Sequence, residues 1–254
     1  MKKILSLILV LPLVISACAE QITVAAASDL TYAMKDLAVR YEKSSGNTVS
    51  LSFGASGNFY SQIQSGAPYD VFFSADADYP AKLAKSGKID PASVTTYAIG
   101  RLVLWVPSSS KLDPRRLKMD LVLDSRVKKV AIANPGHAPY GRAAMAALDH
   151  FQFAGLIKDK LVLGENVSQA AQFVQSGNAQ AGLIPLSLAL SPPMKTAGKY
   201  WQLPDDSYPD IQQAAGILTS SNHKQAAKAF LDFVDSPEGA AVLQQYGFAL
   251  PARK

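Results

Sequence analysis

With 254 residues, of which 48% are hydrophobic and 18% charged, the chain carries enough apolar content to bury a core, which excludes an intrinsically disordered protein. The formal charge of +5 is spread thinly, with only short basic pairs such as Arg115-Arg116 and Lys128-Lys129, so there is no basic stripe of the kind that binds nucleic acid. Cys18 is the only cysteine, which rules out an intramolecular disulfide and a cysteine-based metal cluster.

In chain order, residues 1–19 read as a signal peptide: Lys2 and Lys3 precede an apolar run, Ile4 to Val14, that is too short to span a membrane. Ala17-Cys18-Ala19 fits cleavage before Glu20, whereas Ile15-Ser16-Ala17-Cys18 resembles a lipobox that would leave Cys18 lipidated. Either outcome exports the folded chain, and the early start of the first strand favours the soluble form. Ile22 to Ala27 reads as a buried strand, and Leu30, Met34, Leu37, Ala38 and Tyr41 recur at helical spacing up to Gly46. Thr48 to Phe53 alternates as a strand, Gly57 to Ser65 is a shorter helix, Val71 to Phe73 a third strand, and Tyr79 to Ser86 a helix ended by Gly87.

The pattern restarts near Arg101. Leu102 to Val106 is a continuous apolar strand ended by Pro107, Val130 to Ala133 a strand, Asn134 to Pro139 a loop and Gly141 to Phe151 a helix. A helix over Ser168 to Ser176, strands at Ala181 to Ile184 and Gln212 to Leu218, and helices at His223 to Val234 and Pro237 to Tyr246 complete the chain. This alternation predicts an α/β protein of two lobes, 20–99 with 217–254 and 100–216, joined by two crossing strands around a cleft. Ligands of open α/β sheets bind at the carboxyl ends of strands, so the cleft is the expected site.

Two strand ends there share one chemistry. Ala25-Ala26-Ala27-Ser28-Asp29-Leu30 and Phe53-Gly54-Ala55-Ser56-Gly57-Asn58 each pass from small residues to a serine where a helix begins. A helix start presents unpaired N–H groups and a positive dipole end, a serine adds a hydroxyl donor, and small neighbours let a ligand approach the backbone. Serine is also an ordinary N-cap, so each junction alone could be purely structural. Asn134-Pro135-Gly136-His137-Ala138-Pro139-Tyr140-Gly141 brings Tyr140 and Gly141 to a third helix start, and Glu165-Asn166-Val167-Ser168 is a fourth. Catalytic templates fit poorly: Gly54-Ala55-Ser56-Gly57 lacks the spacing of a nucleophile elbow, and Ser108-Ser109-Ser110-Lys111 lacks its partner motifs. His137, His150 and His223 are not spaced as metal ligands on one helix, and no nucleotide fingerprint is present.

Jointly, Ala26-Ala27-Ser28, Phe53-Gly54-Ala55-Ser56, the run Gly66 to Asp76, Asn134 to Gly141, Gly164-Glu165-Asn166-Val167 and Tyr246-Gly247-Phe248 resemble the periplasmic molybdate-binding proteins of ABC transporters over essentially the whole mature chain. The resemblance implies a two-lobed type II periplasmic-binding-protein fold, each lobe a mixed sheet flanked by helices. It also implies a monomer that is not an enzyme, needs no cofactor, captures molybdate or tungstate and hands it to a membrane ABC permease. Carried over by position, it places Ser28 and Ser56 of the first lobe, and the N–H groups of Tyr140 and Val167 of the second, on the oxyanion, with the N–H of Asp29 as a further donor; no bare metal ion is involved.

Two departures stand out. Pro185 occupies the position where many members place a tyrosine hydroxyl. Asp29 sets a carboxylate beside a dianion, which predicts a side chain turned away as a helix cap or hinge contact. Two other readings remain open at this level: a sulfate or phosphate binder, with Asp29 as acceptor for a phosphate proton, and a secreted hydrolase using Ser56 with His137 and Asp70 or Asp76.

Overall fold

In the computed structural model, which describes residues 19–252, the chain runs through two α/β units and returns to the first; the expected signal segment up to Cys18 lies outside the described residues. The first unit comprises β1 (Gln21–Ala27), α1 (Thr31–Ser45), β2 (Thr48–Gly54), α2 (Ser56–Gln64), β3 (Val71–Ser74), α3 (Asp78–Lys85) and β4 (Thr95–Gly100). The second comprises β5 (Leu102–Pro107), α4 (Pro114–Leu117), β6 (Val130–Ala133), α5 (Pro139–His150), β7 (Leu161–Gly164), α6 (Val167–Gln175), β8 (Ala181–Pro185), α7 (Leu186–Ala189) and β9 (Gly198–Gln202). The chain then re-enters the first unit as β10 (Ile211–Ile217), α8 (Lys224–Asp235) and α9 (Pro237–Gln245).

Local chemistry accounts for the boundaries. Gly46 takes a left-handed φ of 76° and returns its N–H to the Glu42 carbonyl, a conformation that ends α1 and that a side chain would strain. Ser236 caps α9 by accepting from the Gly239 amide, with Pro237 in the first turn where no N–H is needed. The apolar stripe of α1, Met34, Leu37, Ala38 and Tyr41, is buried as its spacing predicts.

Each sheet has five strands, ordered β2-β1-β3-β10-β4 and β7-β6-β8-β5-β9. In each, three parallel strands are followed by an antiparallel strand supplied by a crossing: β10 lies between β3 and β4, and β5 between β8 and β9. This is the expected two-lobed mixed-sheet fold. One boundary needs correcting. The split at 217 assigned Gln212 to Gly216 to the second lobe, but Ala214 pairs with Ser74, Gly216 with Phe72 and Ile211 with Gly100, so all of β10 belongs to the first sheet and the return crossing precedes Ile211. An apolar strand does not announce its partners. The edge strands β4 and β9 were not anticipated, because Thr95-Thr96-Tyr97 and Gly198-Lys199-Tyr200 carry too few consecutive apolar residues to stand out.

Trp105, Leu104, Ile132 and Leu148 centre the second lobe's core, while Met34, Phe73, Tyr97 and Phe230 centre the first, where Phe73 and Phe230 meet edge to face. Beneath the first sheet Asp70, only 6% exposed, ties three segments together. Its Oδ2 accepts from the Thr23 amide (2.7 Å) and hydroxyl (2.9 Å), and its Oδ1 accepts from the Ser221 hydroxyl (2.6 Å) and faces His223 Nδ1 (3.3 Å). Burial pushes this carboxyl up, but the donors from Ser221, Thr23 and His223 outweigh it and hold it below its ordinary value of 3.8. Replacing Asp70 by Ala leaves the Thr23 amide and Ser221 hydroxyl unpaired and is expected to cost about 3 kcal/mol in urea unfolding at neutral pH. Because the folded carboxyl is the stronger acid, its contribution is present above 3.8 and disappears as pH falls through the lowered value. The Asp70→Ala protein should therefore lack that part of the acid destabilisation.

Candidate functional site

Four helix starts meet between the lobes. A small, tight cavity is lined by Ser28, Asp29 and Ser56 from the first lobe and by Tyr140 and Val167 from the second, with Ala27, Ala55, Ala75 and Ala138 filling the wall between them. All five residues singled out in the sequence therefore reach one cavity, and Ser28, Asp29, Ser56, Tyr140 and Val167 are all buried.

Neither serine is a helix cap. The residues preceding the two turns are Ala27 and Ala55, and no side-chain cap bond is present at either start. Ser56 Oγ accepts from the Ala75 amide (2.9 Å), which occupies a lone pair and leaves the hydroxyl proton to be donated elsewhere. On the other side, Pro139 opens α5 without an N–H, so Tyr140 supplies its first amide, while the Gly141 and Arg142 amides are taken by the Ala138 carbonyl. Val167 is the first residue of α6, whose Asn166 cap accepts from the Gln169 amide and leaves the Val167 N–H to the cavity.

The lobes touch around the cavity. Gly57 N–H donates to the His137 carbonyl (2.9 Å), and a Cβ at Gly57 would sit 2.7 Å from that oxygen, which explains why this helix start needs glycine. Ser168 Oγ donates to the Ser28 carbonyl (3.2 Å), Ser187 Oγ to the Asp29 carbonyl (2.7 Å) and Asn58 Nδ2 to Glu165 Oε1 (2.9 Å). Arg142 pairs with Asp76 across the cleft and lies over the Tyr79 ring.

The Asp29 side chain is not a cap: it turns to Gln213 of β10, within the first lobe, and through it to Tyr140 of the second. Its Oδ2 accepts from Gln213 Nε2 (2.6 Å), its Oδ1 is buried without a hydrogen-bond partner, and Gln213 also reaches the Tyr140 hydroxyl (3.2 Å) and accepts from Tyr97 Oη (2.7 Å). Burial raises the Asp29 carboxyl from 3.8 to about 6, against the smaller opposing effects of Gln213, Tyr140 and the Asp29 and Leu30 amides. Burial, and then the charge of Asp29, push the Tyr97 and Tyr140 hydroxyls well above 10. Sequence reasoning missed Gln213, Tyr97 and Gly100. The last of these is a glycine because a Cβ there would collide with the Tyr140 hydroxyl. The available signal was Gln213 standing inside an otherwise small and apolar strand, ahead of Ala-Ala-Gly-Ile. Pro185 ends β8 opposite Leu102 and is not part of the cavity wall, so that strand contributes no hydroxyl to it.

The hydrolase grouping is not assembled. Ser56 Oγ is held by Ala75, His137 Nε2 contacts the Glu165 carbonyl (2.8 Å) and carboxylate (3.2 Å), Asp70 sits with His223, and Asp76 with Arg142.

A two-lobed α/β chain closing on a cavity of neutral donors is the architecture of a solute-binding protein. The family model described as bacterial extracellular solute-binding protein matches residues 22–249, and the chain belongs to that family. It is 41% identical over 237 residues to the molybdate-binding protein ModA of Azotobacter vinelandii, covering 92% of this chain and 93% of that one. It is 37% identical over 243 residues to ModA of Rhodobacter capsulatus, with 96% and 94% covered. Among solved structures, the Azotobacter vinelandii periplasmic molybdate-binding protein superposes with a TM-score of 0.85 at 34% identity, covering 91% of this chain and 99% of that one.

The raised Asp29 value has a consequence for stability. The folded protein binds this proton more tightly than the unfolded chain, so its contribution is fully present below about 4 and is lost as pH rises to about 6. Above that, the buried carboxylate costs on the order of 3 kcal/mol. Asp29→Asn is expected to raise the melting temperature of the ligand-free protein at neutral pH and to leave it little changed near pH 4, as differential scanning calorimetry would show.

Proposed function

We propose that this protein captures molybdate, and also tungstate, in the interlobe cavity and delivers it to an ABC permease in the membrane, working in the periplasm as a monomer that binds and releases its ligand unchanged and needs no cofactor. The observation that carries this reading is the convergence of two serine hydroxyls and the first amides of two helices, from both lobes, on one cavity of buried neutral donors. The names of the relatives point to the same ligand.

The physical logic is that of a dianion stripped of water and re-solvated by fixed dipoles. Ser28 and Ser56 donate hydroxyl protons, and the Asp29, Tyr140 and Val167 amides donate from helix starts whose dipoles favour the charge. About five such bonds, each contributing ~1.5–3 kcal/mol, hold the anion's oxygens without a positive side chain. The donors contact oxygen atoms only. Fixed donors also measure size: a larger tetrahedral anion meets them all, and a smaller one leaves bonds long. Lobe closure supplies the second half of the cage, through contacts such as Gly57 N–H to the His137 carbonyl.

Calorimetric titration of the mature protein with molybdate, tungstate, sulfate and phosphate tests the reading. Molybdate and tungstate are expected to bind tightly and sulfate much more weakly; tight phosphate binding with no molybdate response would overturn it. Ser28→Ala and Ser56→Ala should each weaken molybdate binding about 10- to 100-fold, the loss of one charge-assisted bond. Gly57→Ala adds no charge and removes no donor, yet should also weaken binding, because its Cβ meets the His137 carbonyl as the lobes close.

A further inference from the structure

Asp29 is the one residue with a carboxyl among those lining the cavity, and nothing in the cage explains that carboxyl. Only its amide is needed for the ligand. It is 2% exposed, takes part in no salt bridge among the described residues, and keeps Oδ1 without any hydrogen-bond partner. The groups packed around it are neutral: Gln213 from β10, Tyr140 from α5, Tyr97 from β4, Ser187 from α7 on its carbonyl, and Ser168 from α6 on the neighbouring Ser28 carbonyl. At the cleft Arg142 pairs with Asp76 and His137 with Glu165, and no cation is among the groups that shift the Asp29 carboxyl.

A dianion entering this cavity therefore meets a residue of like charge, in a site from which closure removes water and where no cation pairs with Asp29 among the described residues. Neutralisation has one route. Building on the reading above, we infer that Asp29 is a proton-carrying member of the cage: the dianion binds together with one proton, which settles on the Asp29 carboxyl. The orphan Oδ1 is the atom that accepts it, since Oδ2 is held by the Gln213 amide, and the bound state then contains a carboxylic acid in place of a carboxylate. Burial has already brought the empty site close to this point, holding the carboxyl at about 6 before any ligand arrives. Asp29 thereby sets the pH range over which the protein takes its anion, a property that the hydroxyls and amides of the cage do not have.

The linkage has a definite sign. The ligand raises the proton affinity of Asp29, so protons strengthen anion binding, and the apparent Kd rises by up to tenfold per pH unit above the empty-site value. Titrating the wild-type protein with molybdate at about pH 7.5, in two buffers of different ionisation enthalpy, should give an uptake approaching one proton, at a pH where the anion itself is fully ionised. Between about pH 6.5 and about pH 8.5 the affinity should fall by tenfold or more. Asp29→Asn should abolish both the uptake and the pH dependence, and should bind more tightly than the wild type at the alkaline end. Tight molybdate binding by the wild type with no proton uptake would overturn this inference alone, as would uptake that persists in Asp29→Asn. Failure of every oxyanion to bind at any pH would instead overturn the functional reading on which it rests.

Discussion

The first amides of a helix cannot be satisfied within the helix, and whatever stands before them has to accept from them. In this protein that constraint organises both lobes. The cavity is built where β1, β2, β6 and β7 have just ended and helical turns have just begun, so each lobe presents unpaired donors at the carboxyl end of its parallel strands. The small residues on the strand side follow from it: Ala27, Ala55, Ala75 and Ala138 keep side chains out of a space that only the backbone and two hydroxyls are to reach. The donors of the cage are hydroxyls and backbone amides, which have no charge to lose and are held by the fold, and this suits them to distinguishing anions by size.

The hinge answers to the same site. Gln213, on the strand that carries the chain back into the first lobe, holds Asp29 from beneath the first helix start and Tyr140 from the second. One buried amide thus touches both halves of the cage, and Gly100, on the neighbouring strand, is bare so that the Tyr140 hydroxyl has room. The peripheral ties, Arg142 to Asp76 and Asn58 to Glu165, close the lobes from the outside. Exposed pairs of this kind contribute little each, and their value is in registering one lobe against the other.

Much of this was legible in the residues. The strand-to-helix junctions at Ser28 and Ser56, the proline-stiffened entry to Tyr140 and the start at Val167 are local features, written in contiguous residues, and all four converge in the structure. What was illegible is what depends on distant partners. Gln212 to Ile217 reads as a strand, but which sheet it joins is decided by Phe72 and Gly100, far away in sequence. The edge strands β4 and β9 owe their form to neighbours on one side only and carry a weak pattern of their own. That Ser56 accepts from Ala75 and does not cap its own helix is likewise a matter of what lies across the site.

The interleaving of the strands bears on how the chain acquires its shape. Because β10 lies between β3 and β4, the first sheet exists as separate pieces until residues 211–217 arrive, and by then every strand of the second sheet has already been synthesised. During synthesis the amino-terminal segment keeps open sheet edges and an unfinished core, while the internal segment contains all five strands it needs. The order of assembly runs against the order of the sequence: the lobe encoded in the middle is the one able to mature first, and the lobe encoded at the two ends is the last to be completed.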